Sequence, residues 1–245
     1  MKQDFPQLVI GLFLLGIALV ASAFIAVSGF RDIKKADDTI TVTGSTKQAI
    51  TSDHVIWDFQ LSTQGTELQN LYTEISTATR AVDDFLKTQK LSAEELVSDA
   101  IVTEPTTFYN RDEAGREVSV KGYILRKHYQ IRSNEVKKVV AINQSASSLI
   151  ARGIPLESSP MQYLYTKLPE LRIKLLEDAT RDARERANVM VKSAGSTLGA
   201  MKSARMGVFQ ITPRFTTQVD DYGSFDTTSL EKDVTAVVTV SFAVQ

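Results

Sequence analysis

Between Phe5 and Phe30 the chain carries no charged residue. The segment Leu8–Phe30 reads LVIGLFLLGIALVASAFIAVSGF. As a helix rising 1.5 Å per residue it would be about 34 Å long, enough to cross a hydrocarbon core of about 30 Å with some tilt. A helix buried in a soluble core would show a polar stripe over such a length, and none is visible. Residues 1–30 are therefore expected to form an N-terminal transmembrane anchor that takes no part in a soluble core. A cleaved signal peptide is the competing reading, with Lys2 as a weak basic start, Leu8–Val20 as the apolar region and Ala21-Ser22-Ala23 as the cleavage site. The run continues apolar through Phe24, Ile25, Ala26 and Val27, which favours retention. The flanks, Lys2 and Asp4 before, Arg31, Asp32, Lys34 and Lys35 after, give only a small charge bias and leave the orientation open. Ala18, Ser22 and Ala26 form a small-residue stripe of the kind that lets two helices approach, although small residues are ordinary in such a run.

Residues 31–39, RDIKKADDT, read as a charged linker, and residues 40–245 as the folded domain. Its length is sufficient to bury a core without staples. Hydrophobic content of 43% and charged content of 23% are those of an ordinary globular chain. A net charge of −1 gives no pull toward nucleic acid. With no cysteine, disulfides, thiolate metal sites, a cysteine nucleophile and a lipidated N-terminal cysteine are all excluded.

Periodicity orders the domain. Ile40–Thr43 alternates as a strand, and His54–Thr63 puts Val55, Trp57, Phe59 and Leu61 on one face. After Gly65, the residues Leu68, Leu71, Tyr72, Ile75, Val82 and Leu86 recur at helical spacing. Val97–Phe108 and Val118–Arg132 read as strands joined by a polar turn at Asn110–Arg116. A second helix is expected over Asn134–Ala151, capped by Asn134 and burying Val136, Val139, Val140, Ala146, Leu149 and Ile150. Met161–Leu168 is a short strand, and Pro169 sits where a helix tolerates it. The helix that follows has Leu171, Leu175, Ala179, Ala183, Ala187, Met190, Val191 and Ala194 on one face. Glu177/Arg181 and Asp182/Arg186 stand at i,i+4 on the other. Gly195 is a C-cap, and strands are expected over Leu198–Ile211 and Asp233–Val244. The order ββαββαβαββ predicts an α+β domain, a mostly antiparallel sheet with three helices, behind the N-terminal helix. Pro213–Lys232 is a long polar loop, of a length that is functional or mobile.

Catalytic signatures are missing: there is no P-loop, dinucleotide fingerprint, nucleophile elbow or zinc-protease helix motif. A serine triad would need His54 or His128, the only two histidines, and both fall in predicted strands. Asp220 and Asp221 with Asp226 are the only grouping that resembles an oxygen-ligand cation site, without the spacing of a calcium loop. Arg126, Lys127, Arg132, Lys137 and Lys138 cluster in sequence, but Arg126 and Lys127 point to opposite strand faces, so no nucleic-acid patch is expected. No catalytic, cofactor-binding or metal-binding residue is assigned.

Asp182-Ala183-Arg184-Glu185-Arg186-Ala187, then Gly195, then Leu198-Gly199, resembles the D-A-x-x-x-A…G-x-x-L-G signature of SIMPL-domain proteins. Ile40–Gly44 is similar to the family's opening strand V-x-V-x-G, and Asp53 stands where the family has Pro-Asp, with Ser52 in place of the proline. Gly122-Tyr123, Arg152-Gly153-Ile154 and the closing strand Val234–Val244 continue the likeness, which covers Ile40–Val244. The Pro213–Lys232 segment is an insertion relative to that pattern. The glycines and alanines of the signature have structural roles, Ala183 and Ala187 for close helix–sheet approach, Gly195 and Gly199 for turning.

The resemblance implies an extracytoplasmic domain of the bacterial cell envelope, held by a single inner-membrane anchor or released as a soluble periplasmic protein. It implies homo-oligomers and a link to stress response, and no agreed catalytic residues. The expectation is a non-enzymatic SIMPL-domain protein that touches the membrane through Leu8–Phe30, self-associates and binds no nucleic acid or cofactor. The alternative is a ligand-binding module that uses a groove beside the 213–232 loop, near Tyr109 and Tyr123.

Overall fold

The computed structural model describes residues 13, 15–20, 22–24, 38–111, 115–216 and 222–245. Helix α1 is represented by residues 13, 15–20 and 22–24. The chain continues as β1 (Thr39–Thr51), β2 (His54–Gly65), α2 (Leu68–Thr88), β3 (Leu96–Ser98), β4 (Val102–Arg111), β5 (Glu117–Ser133) and α3 (Val136–Ala151). It ends with β6 (Leu156–Ser158), β7 (Gln162–Leu164), α4 (Leu168–Ser193), β8 (Leu198–Met206), β9 (Gln210–Pro213) and β10 (Glu231–Val244). The architecture is mixed α/β with mostly antiparallel sheets, and the described residues hold four helices rather than three. Most of Leu8–Phe30 and of the 31–39 linker lies outside the described residues. Among those described, no helix is long and apolar enough to cross a membrane.

Two expected strands are each divided in two, for identifiable reasons. Between Ser98↔Tyr129 and Val102↔Arg126, three residues on one side face two on β5, so one extra residue bulges the strand into β3 and β4. The strand expected over Met161–Leu168 is the shorter β7, and an additional strand, β6, precedes it; the two pair with different parts of β2. The strand expected over Leu198–Ile211 stops before Gly207, whose N–H turns to Val237 O at 2.9 Å.

The chain divides into two compact units. The first comprises Met1–Lys47, Arg172–Phe209 and Thr235–Gln245. Its sheet runs β1-β10-β8, with β10 and β8 antiparallel from Val238↔Met206 to Val244↔Leu198. Thr41 bonds Ser241 at 2.8 Å and Thr43 bonds Thr239 at 3.2 Å, so β1 and β10 also run in opposite directions. Alternation buries Val238, Val240 and Phe242 of β10. On α4 the expected stripe Leu175, Ala179, Ala183, Ala187 and Val191 is buried, whereas Met190 is exposed. The alanines serve close approach: a Cβ placed on Gly44 would lie 2.3 Å from Ala179 O and 2.4 Å from Ala183 N. Beside that contact, Asp182 Oδ2 accepts the Ser45 N–H at 2.8 Å and also pairs with Arg186 at 2.9 Å. The Ser45 N–H, more than Arg186, holds the Asp182 carboxyl below the usual carboxylate range. Gly195 takes φ +78° and ends α4, with Ser196 N–H returning to Val191 O at 2.9 Å. Gly199 lies within β8 rather than at a turn.

The second unit comprises Gln48–Leu171 and Gln210–Val234. Its sheet runs β3-β5-β2-β6, with β4 also on β5 and β7 also on β2. β2 and β5 pair without interruption from Val55↔Ser133 to Gly65↔Tyr123. The inward face of β2, Val55, Trp57, Phe59 and Leu61, meets Leu125, Tyr129 and Ile131 of β5 in a core completed by α2 and α3. Trp57 stacks on Phe59 with centroids 4.4 Å apart, and Phe59 on Tyr129 at 5.0 Å. The Tyr129 hydroxyl donates to Asp83 Oδ1 at 2.9 Å. Leu68 and Tyr72 of α2 and Ile150 of α3, expected inside, are exposed. Asn134 does not cap α3: the flanking residue is Glu135, without a side-chain cap, because Asn134 Oδ1 is taken by His54 Nδ1 at 2.7 Å.

The Gly44 contact allows no side chain. Gly44→Ala is expected to lower unfolding stability by about 3 kcal/mol, read as a fall in urea midpoint at unchanged slope.

Candidate functional site

β2 begins directly after a fixed corner. Ser52 N–H donates to Leu230 O at 2.9 Å and Asp53 N–H to Leu164 O at 3.0 Å. The Asp53 carboxylate accepts both Thr166 N–H at 2.7 Å and Thr166 Oγ1 at 2.8 Å. Ser52, where the family pattern has proline, therefore supplies a backbone donor that proline lacks. Its hydroxyl is buried with no hydrogen-bond partner among the described residues.

Beside this corner lies a cavity of about 230 Å³. Its apolar wall is Ile50, Leu164, Leu168, Ile211 and Phe225. Tyr163, Tyr165 and Thr166 add polar edges, and His54, Asp226 and Lys232 complete the lining. Phe225 is 58% exposed, which puts one rim of the cavity at solvent. All these residues belong to the second unit.

Lys232 is the unusual member, 2% exposed. It is the second residue of β10 and shares its parity with Val234, Ala236, Val238, Val240 and Phe242, all buried. Its Nζ donates to Tyr163 O at 2.6 Å and to Asp226 O at 2.5 Å. Burial pushes the amine's pKa below the ordinary lysine value, partly countered by the Asp226 charge. The Asp226 carboxylate itself turns to its own loop, accepting Thr228 N–H at 2.9 Å, Thr228 Oγ1 at 2.8 Å and Ser229 N–H at 3.2 Å. Burial raises its pKa, but these bonds outweigh that and hold it low. The loop end thus closes on itself, and the lysine ties it to β7 through Tyr163.

The residues singled out in the sequence are distributed differently. Asp226 is committed to Thr228 and Ser229, Asp220 and Asp221 lie outside the described residues, and no group of three acids or histidines among the described residues could hold a metal ion. His54 lines the cavity and holds Asn134. His128 stands between two carboxylates, Nε2 at 3.3 Å from Asp58 and Nδ1 at 3.4 Å from Asp99. Arg126 pairs with Glu104, Arg132 bonds Gln130, and Lys138 pairs with Glu135 at 2.9 Å, so these bases are used locally. Tyr109 and Tyr123 lie opposite Ser119 and Pro105 in the β4–β5 ribbon and do not line the cavity. The tyrosines beside the loop are Tyr163 and Tyr165. Sequence reading missed Lys232, although the two-residue period of DVTAVVTVSFAV, extended back by one residue, points it inward.

Titration should expose the buried amine. Between the lowered folded pKa of Lys232 and its unfolded value near 10.5, the unfolded chain binds more protons, so stability rises with pH. Tyr129 acts oppositely: burial, with the Asp83 bond, raises its pKa far above 10.0, so its contribution is complete below pH 10 and is lost above it. Unfolding free energy measured in urea should climb through the alkaline range and turn over near pH 10, and Lys232→Met should remove the climb.

A family model, SIMPL, described as "Protein of unknown function (DUF541)", matches residues 40–242. No curated relative matches the chain. The chain belongs to the SIMPL family.

Proposed function

From that membership, we propose that this chain is a non-enzymatic envelope protein, held to the membrane by Leu8–Phe30 with its SIMPL domain outside the cytoplasm, and that the domain binds a small ligand beside the 213–232 loop. The observation that carries the binding reading is the cavity of about 230 Å³. Its walls are mostly apolar, and its few polar groups converge from three chain segments, the pattern of small-molecule sites. The uncharged run of the N-terminus supports the anchor, and the family resemblance supports the compartment.

Self-association is a second reading, favoured by one feature. β8 is an edge strand of its sheet, and its Met201 and Met206 are about half exposed, at 49% and 56%. An uncovered edge with apolar side chains invites pairing with another strand.

A ligand that binds only the folded state raises the melting temperature. The detergent-solubilised chain is expected to melt higher with compact apolar alcohols such as benzyl alcohol. Ile211→Trp, which fills the cavity, should abolish that shift while the protein stays folded by circular dichroism. N-terminal sequencing of the mature protein should find the apolar run retained. A mature chain starting at Phe24 would replace the anchor with a cleaved signal.

A further inference from the structure

The Lys232 amine is held in a way that suits one protonation state better than the other. An ammonium has three N–H donors, whereas a neutral amine has two and a lone pair. Two acceptors meet Nζ, the carbonyl oxygens of Tyr163 and Asp226. They satisfy both N–H groups of a neutral amine. A third N–H would face a cavity whose wall is mostly apolar, through Ile50, Leu164, Leu168, Ile211 and Phe225, with polar edges from His54, Tyr165 and Thr166. A charge left unpaired among such groups is costly. Among the described residues no carboxylate oxygen is bonded to Nζ: those of Asp226 are engaged by Thr228 and Ser229, and its charge only partly counters the burial. The neutral form leaves its lone pair on the remaining tetrahedral position. A desolvated lysine of this kind is an activated nucleophile for carbonyl carbon.

The cavity limits what can reach it. A cavity of about 150 Å³ suffices for benzene, so about 230 Å³ admits a compact aromatic or branched aliphatic body with one functional group. We infer that Lys232 is the nucleophile of a covalent binding site for small apolar aldehydes, which it captures reversibly as an imine within this cavity. The amine lone pair adds to the aldehyde carbon, and a proton passes from nitrogen to oxygen to give a carbinolamine. Protonation of that hydroxyl releases water as the C=N bond forms, and loss of the remaining N–H proton returns the one consumed, so one aldehyde and one amine give one imine and one water. His54 lines the same cavity, and the proton exchange is assigned to its imidazole, whose Nδ1 is held by Asn134. The lowered amine pKa acts in the same direction, since it enlarges the nucleophilic fraction near neutrality. This inference rests on the binding reading of the cavity and adds a reaction to it.

The test uses the full chain in detergent at pH 7 with benzaldehyde and sodium cyanoborohydride, which reduces an imine to a stable benzylamine, followed by peptide mass mapping. The expected result is benzylation at Lys232 ahead of every surface lysine, so that the Lys232 peptide carries the adduct first. Benzyl adducts spread over surface lysines, with Lys232 unmodified, would overturn it. Mapping the unaltered protein keeps the test decisive even if Lys232→Met fails to fold. Benzyl alcohol, which cannot form an imine, separates the two layers. If it raises the melting temperature while Lys232 stays unlabelled, the covalent step falls and the cavity reading stands. If it gives no shift and Lys232 is unlabelled, both fall.

Discussion

The antiparallel ladder between β2 and β5 is the constraint on which the second unit depends. It runs unbroken from Val55↔Ser133 to Gly65↔Tyr123. A slip of one residue would turn Val55, Trp57, Phe59 and Leu61 to solvent, so the register is fixed by burial as much as by hydrogen bonds. That register brings Tyr129 opposite Phe59 and lets Trp57, Phe59 and Tyr129 stack in sequence. The Tyr129 hydroxyl then reaches Asp83 and ties the helical layer to the strand layer. On its other edge β2 carries two short strands, and the one at its start, β7, supplies Tyr163 and Leu164 to the cavity. The cavity is therefore a consequence of where β2 begins.

Much of this is written in local patterns. The strand face of β2 follows from strict alternation, and the buried face of α4 from a run of residues four apart. Gly195 follows from the need for a left-handed residue after a long helix. What local patterns cannot carry is competition between partners. Asn134 has the chemistry of a helix cap, and only the folded chain brings His54 to it across 80 residues. The bulge between β3 and β4 depends on the register of β5, which neither strand encodes alone. Leu68, Tyr72 and Ile150 fit a helical period but fall at the edges of the buried stripe, where burial depends on the neighbouring element.

The candidate site was less legible than the fold. Acids in a polar loop look like ligands on paper, yet Asp226 spends its oxygens on the turn that holds its own loop together. Its carbonyl, rather than its carboxylate, is what faces the lysine. A lysine at the start of a strand ordinarily reads as a solvated end. Lys232 is inside because Tyr163, 69 residues away, offers its carbonyl at the same point as Asp226, six residues away.

The buried stripe of α4 repeats at intervals of four, through Leu175, Ala179, Ala183, Ala187 and Val191. Four residues turn a helix through about 400°, so each step advances the stripe by about 40° around the axis. Over these five residues it winds about 160°. A coiled-coil seam must return to the same side every seven residues, and this stripe does not. The helix is thus specified against zipping with another copy of itself: its apolar surface suits a twisted sheet and would offer a straight partner helix only about one turn of contact at a time.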